Sequence, residues 1–188
     1  MEFTKNMQKV MERAVGLAQK AHHRYFMPEH MIYGLTFDED FRRGYEAGGG
    51  SAERLQKDIL DFLKEQAGVS KEQEGPQVTL DAQRVFHMAA EQAASSSRDG
   101  VEVSHLLSAL MHLEESYGLY YMEVQDVDLV EILGEMSRES LSRERGKESG
   151  IPKGQQEYGE ISDDNVGKSA HRWKSFLEDM NATCRKQN

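Results

Sequence analysis

The amino-acid sequence predicts an all-α fold in which one helical repeat occurs twice with pseudo-twofold symmetry, followed by a flexible C-terminal tail. Three observations lead there. Apolar side chains recur every three or four residues, as one buried face of a helix requires. No segment sustains the two-residue alternation of a half-buried strand. Sliding the chain by 75 positions brings Thr4, Gln8, Val10, Ala14, Ala18, His30, Leu35, Glu39 and Tyr45 onto Thr79, Gln83, Val85, Ala89, Ala93, His105, Leu110, Glu114 and Tyr120, nine identities in 42 ungapped positions. Two copies fit a pseudo-symmetric domain; a solenoid needs more units to bury its faces.

The elements follow in order. Val10, Ala14, Leu17, Ala18 and Ala21 form the apolar stripe of a first helix. Thr4 stands where an N-cap belongs, its hydroxyl oxygen available to the first free amides. Pro28 suits the first turn of a second helix reaching Leu35, since its missing N–H would be unpaired there in any case. Glu29 complements the dipole of that turn. Gly48, Gly49 and Gly50 break the chain before a further amphipathic helix carrying Leu55, Ile59, Leu60, Phe62 and Leu63. Residues 66–78 read as a polar loop joining the copies. Thr79 then caps the first helix of the second copy, which repeats the order through Leu106–Leu110, a break near Gln125-Asp126, and Leu129 to Met136. The copies span about residues 1–65 and 76–142.

Composition changes near residue 142. Residues 143–170 hold only five apolar side chains, too few to offset the entropy of ordering them, and read as a flexible linker. In residues 171–188, Trp173, Phe176, Leu177, Met180 and Cys184 share one face of a short amphipathic helix, with Ser169 as its plausible cap. The net charge is −10 overall; residues 1–142 carry 14 basic against 25 acidic side chains, so the acidity lies on the folded part. Such a balance argues against nucleic-acid binding, which draws its affinity from lysine and arginine. No apolar run is long enough to cross a bilayer, and the N-terminus has no apolar export segment. One cysteine excludes a disulfide framework and cysteine-based zinc sites. The expectation is an acidic, soluble, cytoplasmic protein that involves no membrane.

No catalytic or cofactor constellation emerges. Gly167-Lys168-Ser169 ends like a phosphate loop, but Ser162 stands where its first glycine is needed and Asp163-Asp164 would repel phosphate. His22 and His23 are adjacent, so on a helix they diverge by roughly 100°, a poor geometry for a shared metal. His30 and His105 occupy equivalent places near helix starts and read as structural histidines. No cofactor, metal site or enzymatic activity is expected.

The duplicated Thr-x-x-x-Gln-[Lys/Arg]-Val motif, with Glu29-His30 and Gly48-Gly49, resembles the N-terminal domain of ClpA-type AAA+ unfoldases over residues 1–142. Val101-Glu102-Val103 and Glu115-Ser116-Tyr117-Gly118-x-Tyr120 strengthen the likeness. Arg172-Trp173-x-x-Phe176-Leu177 is similar to the stretch that precedes the first ATPase module in that family, and the chain ends where that module would begin. The resemblance implies eight helices in two related halves and a non-catalytic role: capturing substrate proteins and adaptors, chiefly ClpS, for an ATPase ring that feeds the ClpP peptidase. Carried over by position, the adaptor-docking surface falls on Glu29, Thr79 and Arg84, with Arg24 beside it. Arg24 stands where ClpA commonly has an acidic residue, and Met27-Pro28 replaces the usual capping threonine region. The alternative expectation is a standalone domain that regulates the Clp system by competing for adaptors. A stop codon directly after Asn188 distinguishes that case from a fragment of a longer unfoldase.

Overall fold

Thr4 and Thr79 start the first helix of each half in the same way. In the computed structural model, which describes residues 2–70, 75–96, 98, 100–114 and 116–148, the Thr4 hydroxyl accepts from Met7 N at 3.4 Å and that of Thr79 from Ala82 N at 3.3 Å. The helices they cap are α1 (Lys5–Lys20) and α5 (Leu80–Ser95). The first half continues through α2 (Pro28–Leu35), α3 (Glu39–Ala47) and α4 (Ala52–Gln66). The second continues through α6 (Val103–Met111), α7 (Tyr117–Glu123) and α8 (Leu129–Glu148). Eight helices are thus present among the described residues, in the order the duplication requires. The 75-residue offset maps the bounds of α1 onto those of α5.

Four two-residue strands accompany them: β1 (Glu2–Phe3), β2 (Tyr25–Phe26), β3 (Gln77–Val78) and β4 (Gly100–Val101). They are too short to show as alternation in a sequence. The same offset carries β1 onto β3 and β2 onto β4, yet the parallel pairs are β1 with β4 and β2 with β3. Each pair therefore joins one half to the other. The threonines extend these pairs: Thr4 N and Oγ1 donate to Val101 O at 3.1 and 3.3 Å, and Thr79 N and Oγ1 donate to Phe26 O at 3.0 and 3.2 Å. Gln8 and Gln83 turn back to donate to Phe3 O and Val78 O. The repeated Thr-x-x-x-Gln motif is thus a helix cap and a cross-half clamp together.

The core lies between the helix stripes. Met7, Val10, Met11, Ala14 and Ala18 of α1 meet Met31, Ile32 and Leu35 of α2, and Leu55, Ile59 and Leu63 of α4 close the first half. Val85 and Ala89 of α5 with Leu106, Leu107 and Leu110 of α6 repeat this in the second. A Cβ at Gly34 would overlap the Val10 carbonyl, so α1 and α2 touch backbone to backbone there. Ala21, expected on the α1 stripe, is the exposed C-cap instead, because the helix ends at Lys20 and His22 turns the chain at a φ of 52°. Beyond that turn, His23 is buried.

The chain divides into two units, residues 1–136 and 137–188. In the second, described residues Ser137–Glu148 complete α8, where Arg143 pairs with Glu139 at 3.3 Å. Helix therefore continues six residues past the composition change at 142, supported by this i,i+4 pair although apolar residues are scarce. The remainder of the expected linker, the amphipathic segment 171–188 and Gly167-Lys168-Ser169 lie outside the described residues.

Candidate docking surface

The four residues singled out from the sequence gather around the β2–β3 pair and the starts of α2 and α5. Arg24 precedes β2, exposed, its guanidinium 5.2 Å from the centre of the Tyr25 ring. Its backbone is pinned on both sides: Arg24 N donates to Gly68 O at 3.0 Å and Gln77 N donates to Arg24 O at 2.8 Å. Thr79, half-buried, commits its hydroxyl to the α5 cap and to Phe26 O. Arg84, one turn into α5, is exposed and pairs with Asp81 at 3.0 Å. Two exposed arginines thus belong to the elements that this backbone seam joins.

Glu29 is placed differently from its three companions. It lies in the first turn of α2 as the dipole argument expects, but its side chain is only 4% exposed. Oε1 accepts from Gly118 N at 3.3 Å, while Oε2 is buried without a hydrogen-bond partner among the described residues. Burial raises its carboxyl above the ordinary value; its own backbone N–H and that of Gly118 oppose the rise, and the charge of Asp81 adds to it. A Cβ on Gly118 would meet Ile32 and Glu29, so α7 sits directly against the start of α2. Glu29 therefore holds α7 against the start of α2 and feels the charge of Asp81.

The histidines at the second helix of each half are structural. Met27 N donates to His30 Nδ1 at 3.0 Å, and Glu102 N donates to His105 Nδ1 at 3.1 Å. Each imidazole thus satisfies a backbone amide at its helix start, in place of a threonine cap in the case of Met27-Pro28. With Nδ1 accepting, neutral His30 carries its proton on Nε2 and donates it to His23 Nδ1, 2.8 Å away. That buried pair was not readable from the sequence, because His23 reaches His30 only once the chain has turned at His22. Among the described residues, no group of three or more His, Cys, Asp or Glu side chains is placed to hold a metal ion, and no helix is long and apolar enough to cross a membrane.

Sequence reasoning also missed Asp81, the partner of Arg84, and Leu80, whose side chain stands exposed at the first position of α5. The Thr79 cap was the available signal, since it fixes which residues of the next turn point outward.

Two cross-half strand pairs and a doubled Thr-capped helix are what the comparison with known families meets. The Clp repeat N-terminal domain model matches residues 2–125, about two thirds of the sequence. The chain belongs to the Clp N-terminal repeat domain family. Clp N-terminal domains are non-catalytic and occur in Clp/Hsp100 chaperones, where they engage substrates or adaptors. The fold is similar to that of the Hsp104 N-terminal domain from Candida albicans, with a TM-score of 0.62 at 15% identity over 72% of this chain and 89% of that one. It is also similar to the N-terminal domain of the chaperone ClpD from Arabidopsis thaliana, with a TM-score of 0.58 at 12% identity over 73% and 96%. The N-terminal domain of the ClpV1 ATPase from an E. coli type VI system aligns with a TM-score of 0.52 at 19% identity, over 70% and 81%. No curated protein matches the sequence.

Proposed function

We propose that this Clp N-terminal domain is the adaptor-docking and substrate-capture module of a ClpA-type unfoldase working in the cytoplasm, that its adaptor is ClpS, and that captured proteins pass through the parent ATPase to ClpP. The observation that carries the reading is the pair of exposed arginines, Arg24 next to β2 and Arg84 in α5, on the two elements that the Thr79 bonds to Phe26 O join. Arginine forks offer paired, directed donors to the carboxylates and carbonyls of a protein partner. Among the described residues Arg84 is held by an exposed i,i+3 pair with Asp81, which contributes little and releases readily. Thr79 and Glu29 act behind them: the threonine fixes the start of α5, and the buried carboxylate fixes α7 against α2.

Titration of the domain with ClpS tests this. Arg84→Ala is expected to weaken binding by about 1–3 kcal/mol, roughly tenfold to hundredfold, if it leaves an adaptor acceptor unpaired. The melting temperature is expected to stay put, because the side chain is exposed. Thr79→Ser should be mild in both respects, whereas Thr79→Ala removes a cap and lowers stability by about 1–2 kcal/mol. Intact binding in Arg84→Ala, or weakened binding only where the domain unfolds, places the docking surface elsewhere.

A further inference from the structure

Outside the surface just described, four aromatic rings gather at the junction of α4 and α7. Phe62 lies 5.1 Å from Tyr117 and 6.2 Å from Tyr121, centroid to centroid, and Tyr120 lies 5.7 Å from Tyr121. Tyr117 is 63% exposed and Tyr120 59%, far more than core packing would leave. Rings in mutual contact that remain this open form a patch of the kind found where proteins meet.

Its border is acidic. Asp58, Phe62 and Glu65 recur at i, i+4 and i+7, a single stripe along α4. The carboxylates of Asp58 and Glu65 both act on the Tyr121 phenol, which, after partial burial, they help to hold in its protonated form. The lysines of α4 serve a different carboxylate: Lys64 pairs with Asp61 at 2.8 Å, and the field of Lys57 also falls on Asp61. Glu65 has no ion pair among the described residues, and Asp58 has one loose contact with Arg54 at 3.8 Å.

We propose that the Phe62–Tyr117–Tyr120–Tyr121 face binds a basic peptide segment of a partner protein, with a lysine or arginine lying over the tyrosine rings between Asp58 and Glu65. The ring faces carry negative quadrupole potential, and the carboxylates add to it in the same direction. A cation is the occupant that satisfies both. An uncharged apolar segment would cover the carboxylates without compensating them. A second copy of the chain would bring the same acidic border against itself. The surface goes beyond the adaptor-docking reading and shares none of Glu29, Thr79, Arg84 or Arg24, so either can fail alone.

The test is fluorescence anisotropy of the full chain with three labelled peptides of one sequence, in which the same positions carry Arg and Lys, Gln, or Glu. The basic peptide should bind saturably and weaken as salt is raised, the Gln peptide should bind less and the Glu peptide not at all. Tyr117→Ala with Tyr120→Ala should weaken the basic peptide by about threefold to thirtyfold, whereas Tyr117→Phe with Tyr120→Phe keeps the ring faces and the binding. Asp58→Asn with Glu65→Gln should weaken it and flatten the salt dependence; this pair decides the matter should the alanine variant lose its melt. Arg84→Ala should leave it unchanged. Equal binding of the basic and Gln peptides overturns the proposal. So do an unaffected tyrosine variant, no binding of the basic peptide, or sedimentation that shows a tyrosine-dependent dimer.

Discussion

A neutral imidazole is what the His23–His30 pair requires. His30 Nδ1 already accepts from Met27, so its only proton sits on Nε2 and is given to His23 Nδ1. A second proton on either ring would put two donors face to face inside the core. Burial, and then the neighbouring His23, push His30 down to about 3 from its ordinary 6.5, and burial lowers His23 as well. The sign follows from linkage. Below pH 6.5 the unfolded chain takes up protons that the folded chain refuses. This contribution to stability is complete above 6.5 and is lost as pH falls from 6.5 towards 3, by about 1.4 kcal/mol per pH unit for His30, with His23 acting in the same direction. Glu29 has the opposite sign: its carboxyl, raised by burial, favours the fold increasingly as pH falls through its folded-state value towards the ordinary 4.5, and the gain is complete below 4.5. The histidine effect is therefore read between pH 6.5 and 5 as a difference between two chains that both keep Glu29. Denaturant melts across that window should show falling stability in the parent and a shallower fall in His30→Gln. Parallel curves for the two would remove His30 from the account.

Among the elements, α1 and α2 meet backbone to backbone, and Gly34 permits it. Because the Cβ of any larger residue would strike the Val10 carbonyl, which belongs to a helix and cannot swing aside, Gly34→Ala must push α2 outward. The expected cost is about 1–3 kcal/mol, read as a lower urea midpoint at unchanged slope. The equivalent position in the second half already holds Ala109, buried, so Ala109→Gly relieves no overlap and should itself cost about 1–2 kcal/mol, through helix propensity and the lost methyl. This difference between halves also marks what the sequence made legible. Long helices declared themselves through their stripes and caps: α1, α4 and α5 each begin at a threonine or serine whose hydroxyl caps the first turn. The short helices α3 and α7 were hidden inside the breaks around Gly48 and Gln125, because seven to nine residues give barely two turns of periodicity. Arg84 could be singled out by its position on α5. That Glu29 faces inward could not, since its neighbour Gly118 lies 89 residues away.

At the scale of the whole repeat, the duplication is interlocked rather than side by side. Each half supplies one strand to each parallel pair, and each first helix draws a cross-half bond from its threonine cap. Further ties run the same way: Tyr45 donates its buried hydroxyl to Met122 O at 2.9 Å, and Ser51 N donates to Gln125 Oε1 at 2.8 Å. A half on its own would leave these strand edges and the Tyr45 hydroxyl without partners, and would expose the apolar faces that the other half covers. Its conformational entropy cost would remain, while much of the burial that offsets it would be gone. Residues 1–70 made alone should therefore lack a cooperative melt, and so should residues 75–148. Mixed in equal amounts, they should recover the helical signal and a single transition, because every cross-half bond can form without a covalent link between Ser70 and Gly75. Circular dichroism of the fragments, apart and together, reads this directly. A cooperative transition in residues 1–70 alone would mean that the first half closes its own core and that the strand exchange merely decorates it.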